Sequence, residues 1–284
     1  MEAILDGTYV INMDGDISRL EHFDFMMASS NWNYSRHSAI NGKKLLASWS
    51  DITDPEEYEK LRSQLLIKKT FVSMVNLLSH SEIGCLLSHV TLWKEVADNP
   101  EKNRIAIFED DARTHIEGNT IYKLLSGFYN YLHDNNIEEP DMLYLGKALD
   151  DCMNYEKVWG NVYKSKHPLC LHAYIITKRG AQKLLQMAPY HLPIDMIPIK
   201  AIKKGILNVM AFHPSIYFQD VLNNISNLRK THFAINNTTE CLISQQHITE
   251  DNWLYTIVIL IGLVSALILF ILFIWRLVPL PLSP

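Results

Sequence analysis

Ile105-Ala106-Ile107-Phe108-Glu109-Asp110-Asp111 is an apolar run that stops on three consecutive acids. Four apolar residues ending in carboxylates match the carboxyl end of a buried strand, where open α/β sheets bind ligands. Three adjacent carboxylates repel one another unless a cation or hydrogen-bond donors sit among them. In an extended chain Glu109 and Asp111 project to one side and Asp110 to the other. The first two therefore suit a divalent metal, and the third a loop or a ligand hydroxyl. The plain alternative is a solvated strand end at the start of a loop.

Working outward, the segment before this strand opens at Ser79 with Glu82 three residues on, the pattern of a capping box. Ile83, Leu86, Leu87, Val90, Trp93 and Val96 recur at helical spacing and predict one buried helix face, which Asp98-Asn99-Pro100 ends. Taken together, Ser81-Glu82-Ile83-Gly84-Cys85-Leu86-Leu87-Ser88-His89, Leu92-Trp93-Lys94 and Ile107-Phe108-Glu109-Asp110-Asp111 resemble the signature of glycosyltransferase family 25. That family includes lipooligosaccharide glycosyltransferases and procollagen galactosyltransferases. The resemblance implies an α/β, GT-A-like, Rossmann-type nucleotide-sugar-binding domain. It also implies inverting transfer of a hexose, galactose or glucose, from a UDP-sugar to a hydroxyl of a glycan, protein or lipid-linked acceptor. Manganese or another divalent metal would be held by Asp111 and Glu109, with Ser88, Glu109 and Asp110 among the donor contacts.

The opening strand, Thr8-Tyr9-Val10-Ile11-Asn12-Met13-Asp14, turns polar at its carboxyl end. It too resembles the family, and it adds Asn12, Asp14 and Arg19 as donor-binding candidates, Arg19 for the diphosphate. Gly15 and Asp16 stand where the family carries basic residues. A surface helix position is the alternative reading of Arg19. Ala173-Tyr174-Ile175-Ile176-Thr177, the helix Lys178 to Leu185, and Pro193-Ile194-Asp195 form a second family-like stretch. Asp195 sits between two prolines and is the candidate general base; capping the helix that follows is its alternative role. His213-Pro214-Ser215-Ile216-Tyr217-Phe218-Gln219 resembles the family's last motif, although Asn224-Ile225-Ser226 replaces the Ser-Asp-Ile that usually follows.

The rest of the chain reads more plainly. Helices are expected over Ile17 to Ala28, from Asp54-Pro55 to about Leu66, and over Ile121 to His133. Asp141 to Gly146 and Ile206 to Ala211 read as strands, and Gly146-Lys147 as a loop end able to approach a ligand. Asp150 to Lys166 reads as loop with an edge strand. With 284 residues, 48% hydrophobic and 20% charged, the chain suits one sizeable globular domain or two small ones. A net charge of -5 with no lysine-arginine run argues against nucleic acid. Cys85, Cys152, Cys170 and Cys241 form no Cys-x-x-Cys pair, so free thiols are expected, with a disulfide open to a lumenal domain.

Trp253 to Trp275 carries no charge and spans about 35 Å as a helix, enough to cross a bilayer, with tryptophans at both ends. The expected organisation is a transferase domain over 1–230, a polar stalk over 231–252, a transmembrane helix over 253–275 and a tail over 276–284. No signal-peptide pattern follows Met1, so a tail-anchored protein with its catalytic domain on the cytosolic side is expected over a lumenal one. Asn33, Asn224, Asn236 and Asn237 begin glycosylation sequons that would be used only in a lumen. A nucleophilic hydrolase fits poorly, because the adjacent Ser88 and His89 point about 100° apart on a helix. The remaining alternative is a catalytically degenerate, membrane-anchored binding or structural protein.

Overall fold

The computed structural model describes residues 4–28, 32–45, 78–220 and 240–241. The expected helix from Asp54, most of the stalk and the segment from Trp253 to Trp275 lie outside the described residues. Among the described residues no helix is long and apolar enough to cross a membrane.

The architecture is mixed α/β. In chain order come β1 (Gly7–Asn12), α1 (Ile17–Ala28), β2 (Ser35–Ser38), α2 (His80–Asp98), β3 (Arg104–Glu109), β4 (Ala112–Arg113), α3 (Gly118–Asp134) and β5 (Met142–Ala148). They are followed by β6 (Glu156–Trp159), β7 (Val162–Lys164), β8 (Leu169–Thr177), α4 (Lys178–Leu185), α5 (Met196–Lys203), β9 (Val209–Phe212) and β10 (Phe218–Gln219). The main sheet has the order β2-β1-β3-β8-β5-β9-β7-β6, and β10 pairs with β4 in a small ladder. β1 runs parallel to β2 and β3, and β5 parallel to β9. β8 enters antiparallel between β3 and β5, so the carboxyl ends of β1, β3 and β5 lie along one edge.

The central strands are apolar on both faces because helices cover both. On one face Ile83, Leu87, Val90, Trp93 and Val96 of α2 pack with Ile105 and Ile107 of β3 and with residues of α4 and α5. On the other, Ala106 and Phe108 of β3 pack with Phe23 and Met27 of α1 and with Ile121, Leu125 and Phe128 of α3. Alternate residues of one strand thus serve opposite cores.

α2 begins as expected. The Ser79 side chain accepts from the Glu82 amide, and the Glu82 carboxylate accepts from the Ser79 amide. Its first turns approach the backbone after β2 very closely: a Cβ on Gly84 would lie 2.3 Å from the Ile40 carbonyl. Only glycine permits that approach.

Three expectations change. Cys152 and Cys241 are joined in a disulfide rather than free, while Cys85 and Cys170 are free thiols. Spacing could not show a pair 89 residues apart. Glu240 and Cys241, expected in the stalk, are bonded to the domain: the Asp150 amide donates to the Glu240 carbonyl, and Cys241 forms a bridge with Asp150. Asp150 to Lys166, expected as loop with an edge strand, holds two strands, β6 at the sheet edge and β7 paired beside it.

Candidate functional site at the carboxyl ends of β1 and β3

β1 ends on Asn12 and β3 on Glu109, with Asp110 and Asp111 in the turn to β4. Parallel pairing of β1 and β3 therefore brings Asn12 to the acids. Its Nδ2 donates to Asp110 Oδ2 at 2.7 Å, and its Oδ1 accepts from Arg36 Nε at 2.9 Å. Arg19, near the start of α1, places Nη2 against Asp110 and 3.3 Å from Asp111. The β4–β10 ladder sets Gln219 opposite Ala112, so that Gln219 Nε2 donates to Asp111 Oδ2 at 3.1 Å.

These contacts leave negative charge in excess. Asp111 Oδ1 is buried without a partner, as is Arg19 Nε. Burial first, and the neighbouring Glu109 second, push the Asp111 carboxyl up to about 7. Burial also raises Asp110, against the opposing pull of Arg19 and Asn12. Burial would raise Glu109 too, but the hydrogen bond and charge of His89 bring it below its ordinary value.

Asp14 and Ser88 do not join the cluster. Asp14 is exposed and accepts from Arg36 at 2.5 Å and from Ser38 Oγ at 2.7 Å. The Ser88 hydroxyl is buried and used: it accepts from the Ile40 amide at 2.8 Å and donates to the Gly84 carbonyl at 2.7 Å. That arrangement seats the turn after β2 on α2. Asp195 stands at the start of α5 but makes no side-chain cap bond. Burial raises its pKa, and Glu109, His89 and Glu82 are among the charges that act on it. Lys147 is buried, with its Nζ 3.4 Å from the Glu240 carboxylate. Arg36 joins the site without having been a candidate in the sequence. Its signal is a basic residue in the strand parallel to the one that ends on Asn12.

The donor set fits a hard divalent cation, since an orphaned buried carboxylate oxygen beside a second carboxylate is short of positive charge. Asp111 and Glu109 would hold it. A softer set, Cys85, His89 and Glu109, has ligand atoms within 4.8 Å of one another. It fits less well, because both His89 ring nitrogens are already engaged and burial pushes the Cys85 thiol well up, keeping it protonated.

A profile described as "Glycosyltransferase family 25 (LPS biosynthesis protein)" matches residues 5–198, more than half of the chain. The chain belongs to glycosyltransferase family 25. The matched residues carry α2, β3 and the acids, with Gln219 beyond them. Among similar members of family 25, procollagen galactosyltransferase 2 of Homo sapiens is 29% identical over 145 residues, covering 49% of this chain and 22% of that protein. Procollagen galactosyltransferase 1-B of Xenopus laevis is 36% identical over 126 residues, covering 42% and 19%. Inactive glycosyltransferase 25 family member 3 of Mus musculus is 31% identical over 124 residues, covering 42% and 20%. The chain thus spans about a fifth of the length of these curated relatives.

Proposed function

We propose that this chain is an active glycosyltransferase with a GT-A-like domain, moving galactose or glucose from a UDP-sugar to a hydroxyl of a glycan, protein or lipid-linked acceptor. The observation that carries the proposal is Asp111 Oδ1, a buried carboxylate oxygen without a partner, beside Glu109 at the ligand-binding edge of the sheet. Manganese, or another divalent cation, would neutralise charge on the departing diphosphate when bound. Asp111 and Glu109 are its ligands in this reading. Arg19, held at the site by Asp110 and Asp111, is assigned to the diphosphate, and Asn12 fixes Asp110 against it.

Inversion is a single displacement at the anomeric carbon, so a base must take the acceptor hydroxyl's proton as the bond forms. Asp195 is assigned that role. Its side chain is not spent on capping α5, and its raised pKa suits a proton acceptor better than an ordinary surface carboxylate would. The membrane anchor is residues 253–275. For the side it faces, the Cys152–Cys241 disulfide supports an oxidising lumen over the cytosolic side expected from sequence.

A degenerate, non-catalytic domain is the second reading, favoured by Gly15-Asp16 after Asp14 and by the likeness to an inactive mouse relative. Hydrolysis separates the two. The full chain in detergent should slowly hydrolyse one UDP-sugar in a panel when manganese is present. Asp195→Asn should lower that rate by about 10² to 10⁴ with donor affinity little changed. UDP-sugar binding without hydrolysis or transfer would favour the degenerate reading, and full activity in Asp195→Asn would make Asp195 structural.

A further inference from the structure

His89, Tyr174 and Trp93 are all buried, on α2 and β8, beneath the acid cluster. They form one hydrogen-bonded line. Trp93 Nε1 donates to the Tyr174 hydroxyl oxygen at 2.9 Å, that hydroxyl lies 2.9 Å from His89 Nδ1, and His89 Nε2 lies 3.1 Å from Glu109 Oε1. The directions of the protons follow from what each group can do. An indole N–H only donates, and an ionised carboxylate only accepts. In its neutral form His89 therefore carries its N–H on Nε2, toward Glu109, and accepts the Tyr174 hydroxyl's hydrogen bond at Nδ1.

A core built for stability alone would fill this space with apolar side chains, because each buried polar group must be matched or it costs free energy. Here every member is matched, and the line ends on one specific oxygen. Glu109 Oε1 takes the His89 bond and has Cys85 Sγ 3.9 Å away, whereas among the described residues no donor is bonded to Oε2. One oxygen is fixed and, among the described residues, the other has no hydrogen-bond donor, in a carboxylate whose charge acts on Asp111.

We propose that Trp93, Tyr174 and His89 are positioning residues, a relay that locks one oxygen of Glu109 so that the other is aimed at a divalent cation bound with the sugar nucleotide. This rests on the metal assignment made above. Partners behind a metal ligand commonly change metal affinity by 10- to 100-fold when removed.

The test measures manganese affinity of the full chain by electron paramagnetic resonance, in the presence of UDP and well below the melting temperature. Tyr174→Phe and His89→Leu should bind manganese about 10- to 100-fold more weakly than wild type. His89→Gln should recover much of the loss, because an amide Nε2 can donate from nearly the same place. Nitrogen-15 resonance on the unaltered chain should find His89 with its proton on Nε2. Variants that bind manganese as wild type does overturn the relay alone, as would a neutral His89 with its only proton on Nδ1. A wild-type chain that binds no manganese overturns the metal assignment and the relay with it.

Discussion

Asp141 and Asp111 are both buried aspartates at ends of the same sheet, and they are treated in opposite ways. Asp141, just before β5, accepts from Arg179 Nε at 2.6 Å, Lys183 Nζ at 2.7 Å and the Asn208 amide at 2.8 Å. A Cβ on Gly180 would lie 2.2 Å from its carbonyl, so α4 is seated directly against it. Asp111, after β3, has Gln219 and a share of Arg19, with one oxygen unmatched. The first is a rivet whose charge is offset within the fold. The second is left short of positive charge, which is what a site that must receive a cation requires.

The comparison breaks if the two positions respond alike to mutation. Asp141→Ala removes three hydrogen bonds to a buried carboxylate, while Arg179 keeps Glu138 and both cations reach solvent, and should cost about 1–3 kcal/mol in chemical denaturation. Asp111→Asn, measured at pH 8, should leave stability unchanged or raised. A destabilised Asp111→Asn, or an Asp141→Ala as stable as wild type, would show that the contrast in contacts carries no contrast in role.

The disulfide sharpens a second part of the contrast. Cys152→Ser should lower stability by about 2–4 kcal/mol, because it frees a long loop in the unfolded chain. It should also loosen Glu240, whose carboxylate accepts from His213 Nδ1 and the Ser215 amide, each at 2.8 Å. A melting curve unmoved by reduction would mean that the Glu240 contacts hold without the staple.

The two acidic sites should also differ in the sign of their pH dependence. Asp111 is raised in the fold, so its contribution is full below its unfolded pKa of about 4 and is lost as pH rises through about 7. Glu240 is depressed: burial alone would raise it, but the Ser215 amide, Lys147 and His213 together outweigh burial. Its contribution is full above an unfolded pKa of about 4.3 and is lost as pH falls through the folded value. Denaturation from pH 3 to 8 should therefore show Asp111→Asn removing a loss toward neutrality, and Glu240→Gln removing a loss toward acid. Slopes of the same sign in both variants would contradict the assignment. The smallest effect is expected at Ser79→Ala, which removes one side of the capping box of α2 and should cost about 1 kcal/mol with metal affinity unchanged.

What could be read in advance was local. The capping box at Ser79, the helical spacing through Val96 and the run into Glu109 lie within some thirty residues, and α2 and β3 stand where that pattern puts them. Asn12 and Arg19 reach the acids because β1 pairs with β3, which follows from an α/β arrangement. Long-range features were not legible. The antiparallel entry of β8, the Cys152–Cys241 bond and the delivery of Gln219 by β10 depend on segments dozens of residues from their partners. Ser88 stands apart from the acids for a related reason: its hydroxyl bonds the Ile40 amide and the Gly84 carbonyl, and only the glycines at 42 and 84 hint at so close an approach.

The most direct test of the central claim, that the acids after β3 form a metal-dependent nucleotide site, is calorimetric titration of the full chain with UDP and manganese. The account expects binding that requires the metal and is lost in Asp111→Ala, while Ser79→Ala binds as wild type does. Absence of binding in the wild-type chain, or binding unchanged by Asp111→Ala, would contradict it.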